Sequence, residues 1–69
     1  MPREVKAVEE FFKHAERAEE CRVVRSGDYV KLKARTKRYL YTLKVEPDKA
    51  EELVAKLRET CSNVVEIGG

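Results

Sequence analysis

The sequence has few of the residues on which most metal and redox sites depend. Its 69 residues include one histidine and two cysteines, and tryptophan is absent. The cysteines, Cys21 and Cys61, stand far apart and form no C-x-x-C pair. Because a zinc site needs clustered ligands, the sequence argues against a metal centre. We therefore expect no metal ion, and two buried, reduced thiols in a cytosolic protein.

The residues needed for catalysis are equally scarce. No serine, threonine or cysteine stands at a spacing that predicts contact with His14. The carboxylates are scattered among lysines in predicted helices, which is typical of solvated helix faces and not of an acid–base pair. The glycines, Gly27, Gly68 and Gly69, form no phosphate-binding loop. We therefore predict that the protein is not an enzyme and has neither a cofactor nor a small-molecule substrate.

Long apolar runs are also missing. No run approaches the ~18 residues that a membrane-spanning helix requires, and the first residues, M-P-R-E-V-K, lack the apolar core of a signal peptide. We expect no membrane association. A chain of this length predicts a single domain over residues 1–69. Such a domain has room for one sheet and one or two covering helices.

The charge, in contrast, is abundant and unevenly distributed. The net charge of the whole chain is only +2. Residues 21–45, however, carry eight basic side chains and one acidic side chain, a net of +7, whereas residues 1–20 have a net of −2 and residues 46–69 a net of −3. Phosphate groups respond to the local field and not to the total charge, so residues 21–45 are the candidate anion-binding region.

The hydrophobic pattern predicts an α+β fold with the element order α-β-β-β-α-β. Strands at 21–25, 29–35 and 38–45, joined by turns at 26–28 and 36–37, form a three-stranded antiparallel meander. Apolar residues three and four apart predict one helix over 3–18, with Pro2 in its first turn. A second helix runs from Pro47 until Ser62-Asn63 ends it. Residues 64–67 form a short last strand whose neighbour the sequence leaves open.

Alternation in the meander predicts two different sheet faces. Because strand side chains alternate with period two, the apolar residues of 30–34 and 39–45 share one face, which both helices pack against and cover. The other face stays open, and the sequence places Lys31, Lys33, Arg35 and Lys44 on it, with Lys37 and Arg38 at the corner between the strands. Same-face residues about 6.5–7 Å apart are comparable in spacing with the phosphates of a nucleic-acid strand. The pattern favours nucleic-acid binding over a merely solvated face.

The tyrosines divide between the two faces. Tyr39 and Tyr41 share parity with Leu43 and Val45, which favours packing against the core with the hydroxyls at the rim, although tyrosines also stack on RNA bases. Tyr29 shares parity with the lysines of the open face. It is therefore the better candidate for an aromatic residue that contacts a base or a ribose.

Three segments of the chain carry a family resemblance. M-P-R at the start, V-K-L-K-A-R-T-K-R-Y-L-Y-T-L over 30–43, and D-K-A-E-E-L over 48–53 resemble the eukaryotic and archaeal large-subunit ribosomal protein family numbered thirty-eight. The resemblance implies a small α+β protein in the cytoplasmic ribosome, bound to large-subunit ribosomal RNA beside neighbouring ribosomal proteins. It places Arg3, the cations of 31–35, and Arg38 with Tyr39 in or beside the RNA contact. The first turn between strands departs from the family, where it is usually longer and lysine-rich.

The residues and the resemblance lead to one hypothesis and two alternatives. The hypothesis is a structural constituent of the large ribosomal subunit that binds ribosomal RNA through the open face of its sheet. The candidate contacts are Arg3, Tyr29, Lys31, Lys33, Arg35, Lys37, Arg38, Tyr39 and Lys44. One alternative is a protein-interaction module that docks through its acidic helix faces. The other is a small RNA-binding subunit of another ribonucleoprotein such as the signal recognition particle, since those subunits also place a meander between helices.

Overall fold

The computed structural model describes residues 2–67 and has the predicted α+β class. Its elements are β1 (Pro2–Glu4), α1 (Val8–Ala15), β2 (Glu20–Arg25), β3 (Val30–Arg35), β4 (Leu40–Val45), α2 (Pro47–Thr60) and β5 (Val64–Ile67). The five strands form one sheet in the order β1-β4-β3-β2-β5. The predicted meander is confirmed as its central part, because β2, β3 and β4 pair antiparallel in sequence order.

The turn between β3 and β4 contains no glycine, asparagine or proline and is instead fixed by a side chain. The backbone N–H of Thr36 donates to the carbonyl oxygen of Tyr39 at 2.9 Å. The Thr36 hydroxyl accepts from the Tyr39 N–H at 3.1 Å and lies 2.9 Å from the Tyr39 carbonyl oxygen, to which it donates. Hydroxyl side chains stabilise turns in this way. Lys37 and Arg38 are consequently held at the tip of the turn.

Residues 2–4 form an edge strand, so the prediction of a helix over 3–18 was wrong in its first part. β1 pairs in parallel with β4, and the Val5 N–H donates to the Thr42 carbonyl oxygen at 2.8 Å. An unpaired β4 edge would expose a row of backbone donors and acceptors, and β1 satisfies part of that row. Pro2 was predicted in the first turn of a helix. It lies instead on the sheet edge, where its missing N–H is tolerated.

The opposite edge of the sheet is β5, which pairs in parallel with β2. The sequence predicted this strand without identifying its neighbour. Helix α2 connects β4 to β5 and packs over the sheet, a crossover that brings the chain past β3 to the far side of β2.

The core lies between one face of the sheet and both helices, as predicted. Phe11 of α1, Leu57 of α2 and Leu32 of β3 are fully buried at 0% exposure. Phe11 and Phe12 meet edge to face, with ring centroids 5.7 Å apart. Within residues 2–67, neither helix is long and apolar enough to span a bilayer.

The cysteines form a disulfide, so the prediction of two reduced thiols was wrong. Cys21 lies in β2, Cys61 caps the C-terminus of α2, and both side chains are buried. Their Cα atoms are 6.4 Å apart, within the range that a disulfide spans. The sequence could not reveal this proximity because it depends on where the end of α2 comes to lie beside β2.

A surface ion-pair network ties β5 to the rest of the fold. The guanidinium of Arg25 in β2 lies 2.7 Å from one carboxylate oxygen of Glu66 and 3.4 Å from Glu51 of α2, and Arg58 reaches Glu66 at 3.1 Å. The hydrogen bond from Arg25 lowers the pKa of Glu66 below its ordinary value; the charges of Arg25 and Arg58 add to this, and partial desolvation opposes it. The same hydrogen bond raises the pKa of Arg25.

Candidate nucleic-acid interface

The sheet face that points away from the helices, the open face, carries a cluster of basic side chains. Strand register places on it Glu20, Arg22 and Val24 of β2, Lys31, Lys33 and Arg35 of β3, Leu40, Thr42 and Lys44 of β4, Glu4 of β1, and Val65 and Ile67 of β5. The cations occupy the middle of the sheet. The exposed apolar residues Val65 and Ile67, 41% and 42% exposed, lie at the β5 edge.

Like charges stand directly opposite one another on this face. Lys31 is the cross-strand partner of Lys44, and Arg22 is the partner of Lys33. Directly opposed side chains on paired strands have Cβ atoms about 4.5–5.5 Å apart, and like charges at that distance destabilise a sheet. Glu20 offsets part of this repulsion, since its carboxylate accepts a hydrogen bond from the Arg22 guanidinium at 2.7 Å. A bound anion would relieve the repulsion that remains.

Tyr29 lies beside the lysine pair, where strand parity predicted it. Its ring centroid is 4.4 Å from the Lys44 ammonium and 5.4 Å from that of Lys31. Cations at such distances over a ring are attracted to its π-face. The ring therefore partly compensates the opposed charges. A surface depression of about 450 Å³ lies next to it, and Arg3, Glu4 and Thr42 also line this depression.

A smaller depression lies at the other end of the open face. It has a volume of about 270 Å³ and is lined by Arg22, Lys33 and Arg35 together with Glu20 and Leu40. Lys33 and Arg35 thus border a concave surface with Arg22.

The remaining predicted residues lie together at the turn between β3 and β4, on the helix side of the sheet. There the Arg3 guanidinium carbon lies 4.4 Å from the Tyr39 ring centroid, and Tyr39 meets Tyr41 edge to face at 5.9 Å. His14 of α1 stacks on Tyr41 with ring centroids 3.7 Å apart and planes 6° from parallel. These rings border a depression of about 460 Å³, the turn-end pocket, which is lined by His14, Arg17, Thr36, Lys37, Arg38, Tyr39 and Tyr41.

The structure therefore divides the predicted contact residues into two groups. Tyr29, Lys31, Lys33, Arg35 and Lys44 lie on the open face, and Lys37, Arg38 and Tyr39 lie at the turn end. Arg3 lies between the two groups, because it lines the larger open-face depression and its guanidinium also lies over the Tyr39 ring. The expected packing of Tyr41 against the core is confirmed, and Tyr39 is half-buried at the rim.

Sequence reasoning missed three side chains of these groups. Arg22 lies on the open face, and its alternation with Val23 could have revealed it, but the apolar Val24 on the same face obscured the pattern. His14 and Arg17 belong to the end of α1, and nothing in the sequence indicated that this end meets β4. In the described part of the chain, no group of three His, Cys, Asp or Glu side chains is arranged to hold a metal ion.

Comparison with known proteins identifies the family. The Ribosomal L38e protein family matches residues 1–64. The large ribosomal subunit protein eL38 of Aeropyrum pernix is 57% identical over 67 residues, which cover 97% of this chain and 100% of that protein. The chain therefore belongs to the L38e family of ribosomal proteins.

Proposed function

We propose that this protein is a structural constituent of the large ribosomal subunit in the cytoplasm, and that it binds ribosomal RNA through the open face and the turn end. The family membership and the name of the Aeropyrum pernix relative support the assignment to the large subunit. They also favour it over a subunit of another ribonucleoprotein such as the signal recognition particle.

The observation that carries RNA binding is the two pairs of opposed like charges on the open face. Lys31 faces Lys44, and Arg22 faces Lys33, on a sheet surface that neither helix covers. A face that served only solubility would be more stable if these directly opposed pairs carried opposite charges. Neutralisation by closely spaced phosphates explains why the repulsion is retained, because cations that contact phosphates release condensed counterions and gain affinity.

The mode of recognition that fits these residues is charge and shape. No asparagine or glutamine lies in the strands, and these amides, with arginine, are the side chains that most often read base edges. Lysines on a sheet face contact phosphates and riboses, which fix position without reading sequence. The acidic outer faces of α1 and α2 point away from this surface and are available to neighbouring ribosomal proteins.

The first experiment reverses charge on the open face. The double variant Lys33→Glu/Arg35→Glu should reduce the affinity for large-subunit ribosomal RNA fragments at least ~10-fold, because two phosphate contacts are lost. The matched control, Lys13→Glu/Lys49→Glu, changes the net charge equally at exposed positions on the helices. It should bind nearly as well as the unmodified protein. Equal losses in both variants would show that only net charge matters, and unchanged binding in the first would exclude the open face.

Salt dependence supplies an independent measurement. If four to six phosphates are neutralised, the logarithm of the binding constant should fall against the logarithm of salt concentration with a slope of roughly −3 to −5. The open-face variant should reduce the magnitude of that slope by about 1.5. An affinity that does not depend on salt would contradict the proposal. Association with a basic protein partner but not with ribosomal subunits would support the protein-interaction alternative.

A further inference from the structure

The turn-end pocket combines flat rings with cations in a way that the open face does not. Its lining includes two tyrosines and a histidine as well as Arg17, Lys37 and Arg38, and no carboxylate. It is a surface depression of about 460 Å³. The open face, in contrast, presents mainly lysine ammonium groups, with Tyr29 already placed beneath two of them.

The ring of His14 is held flat before any ligand arrives. One face of the imidazole lies on Tyr41 at 3.7 Å, and the histidine side chain is half-buried. Tyr41 is itself packed against the core and meets Tyr39 edge to face. Because this stack is already ordered, another flat ring added to it would cost little conformational entropy.

The cations lie where they could hold the phosphate attached to such a ring. Lys37 and Arg38 are at the tip of a turn that the Thr36 hydroxyl fixes, and Arg17 follows the end of α1 on the other side of the pocket. Stacking on an aromatic ring next to a cationic side chain is how proteins bind unstacked bases of single-stranded nucleic acid.

We infer that the turn-end pocket binds one unpaired nucleotide of the RNA, with its base stacked on His14 and its phosphate held by Arg17, Lys37 and Arg38. This inference rests on the proposed function and adds to it the kind of RNA element that is bound. The open face contacts phosphates, and the turn-end pocket takes an unpaired base beside them.

The test uses two labelled RNA hairpins that differ only by one bulged adenosine in the stem, with binding followed by fluorescence anisotropy. The protein should prefer the bulged hairpin by roughly 5- to 150-fold, the range for stacking one base on an aromatic side chain. His14→Leu should remove the preference, because leucine fills similar space without a flat ring. His14→Phe should retain it, and circular dichroism should show that both variants are folded.

The open-face variant separates the two proposals. Lys33→Glu/Arg35→Glu should weaken binding of both hairpins by a similar factor and leave the preference intact. Equal affinity of the unmodified protein for the two hairpins, or a preference that survives in His14→Leu, would overturn the inference and leave the proposed function standing. Failure to bind either hairpin would count against the proposed function itself. If His14→Leu does not fold, Lys37→Gln should reduce affinity for the bulged hairpin more than for the paired one, and equal reductions would overturn the inference.

Discussion

Breaking the disulfide between Cys21 and Cys61 should remove a large part of the stability of this protein. The bond closes a loop across a sequence separation of 40. In the chain-entropy account, a cross-link over a loop of about 40 residues restricts the unfolded chain by about 4 kcal/mol. Small domains are stable by only about 5–15 kcal/mol. For a domain of this size, a loss of 4 kcal/mol corresponds to a decrease in Tm of roughly 15–30 °C.

The assay compares urea denaturation of the oxidised and fully reduced protein, followed by far-UV circular dichroism. Reduction should lower the urea midpoint strongly, and Cys21→Ala/Cys61→Ala should unfold at a similarly low midpoint. The double variant also provides the control, since adding a reductant to it should change nothing. Thiol titration of the denatured, unreduced protein should detect no free thiol.

Two results would refute the reasoning. Two free thiols in the purified, unreduced protein would show that the bond does not form. An unchanged urea midpoint after complete reduction would show that the closed loop does not restrict the unfolded chain as assumed.

Three further predictions concern side chains outside the disulfide. Because the folded state lowers the pKa of Glu66, its ion pairs stabilise the protein above the ordinary glutamate pKa, and this stabilisation is lost as pH falls through the lowered value. Denaturation at several pH values should show that Glu66→Gln is less stable than the unmodified protein near neutrality and equally stable in acid. Leu32→Ala should lower the free energy of unfolding by about 2–5 kcal/mol, because Leu32 is fully buried. Leu40→Ala on the open face should lower it clearly less in the same urea assay, and equal losses would contradict the burial of Leu32 in the core. Thr36→Ala should lower stability by about 0.5–1.5 kcal/mol because the Tyr39 N–H loses its acceptor, and Thr36→Ser, which retains the hydroxyl, should be nearly neutral.

Much of the sheet could be read from local alternation. The segment from Val30 to Val45 alternates apolar and polar residues so regularly that both strands and both faces were predicted. A shift of register by one residue would move every lysine of β3 into the core, so the pattern permits a single arrangement. The position of Tyr29 on the basic face followed from the same parity.

The first residues show where local pattern misleads. Val5 has the spacing of an apolar position on the helix that follows, and Pro2 is a common helix-start signal. The chain nevertheless forms an extended edge strand there, because the unpaired edge of β4 offers hydrogen bonds that a local pattern does not register. Val5 is buried, but it reaches the core from the end of a strand and not from a helix.

The candidate site shows the same contrast between residues that local pattern predicts and residues that only tertiary packing brings together. The cations of the open face come from strands whose alternation is visible in sequence. The turn-end pocket needs His14 of α1 and the nearby Arg17 to meet Tyr39 and Tyr41, which are more than twenty positions away. Only the packing of α1 on the sheet creates that meeting.

The sequence by itself determined the α+β class, the central meander, the segregation of charge and the family resemblance. Each of these is a property of neighbouring residues or of composition, so hydrophobic periodicity and counts of charged residues are enough to reveal it. The tertiary structure alone decided that Pro2–Glu4 joins the sheet, that Cys21 meets Cys61, and that His14 lies flat on Tyr41. These are contacts between distant segments, and they form because edge hydrogen bonds and apolar surface must be satisfied across the whole fold.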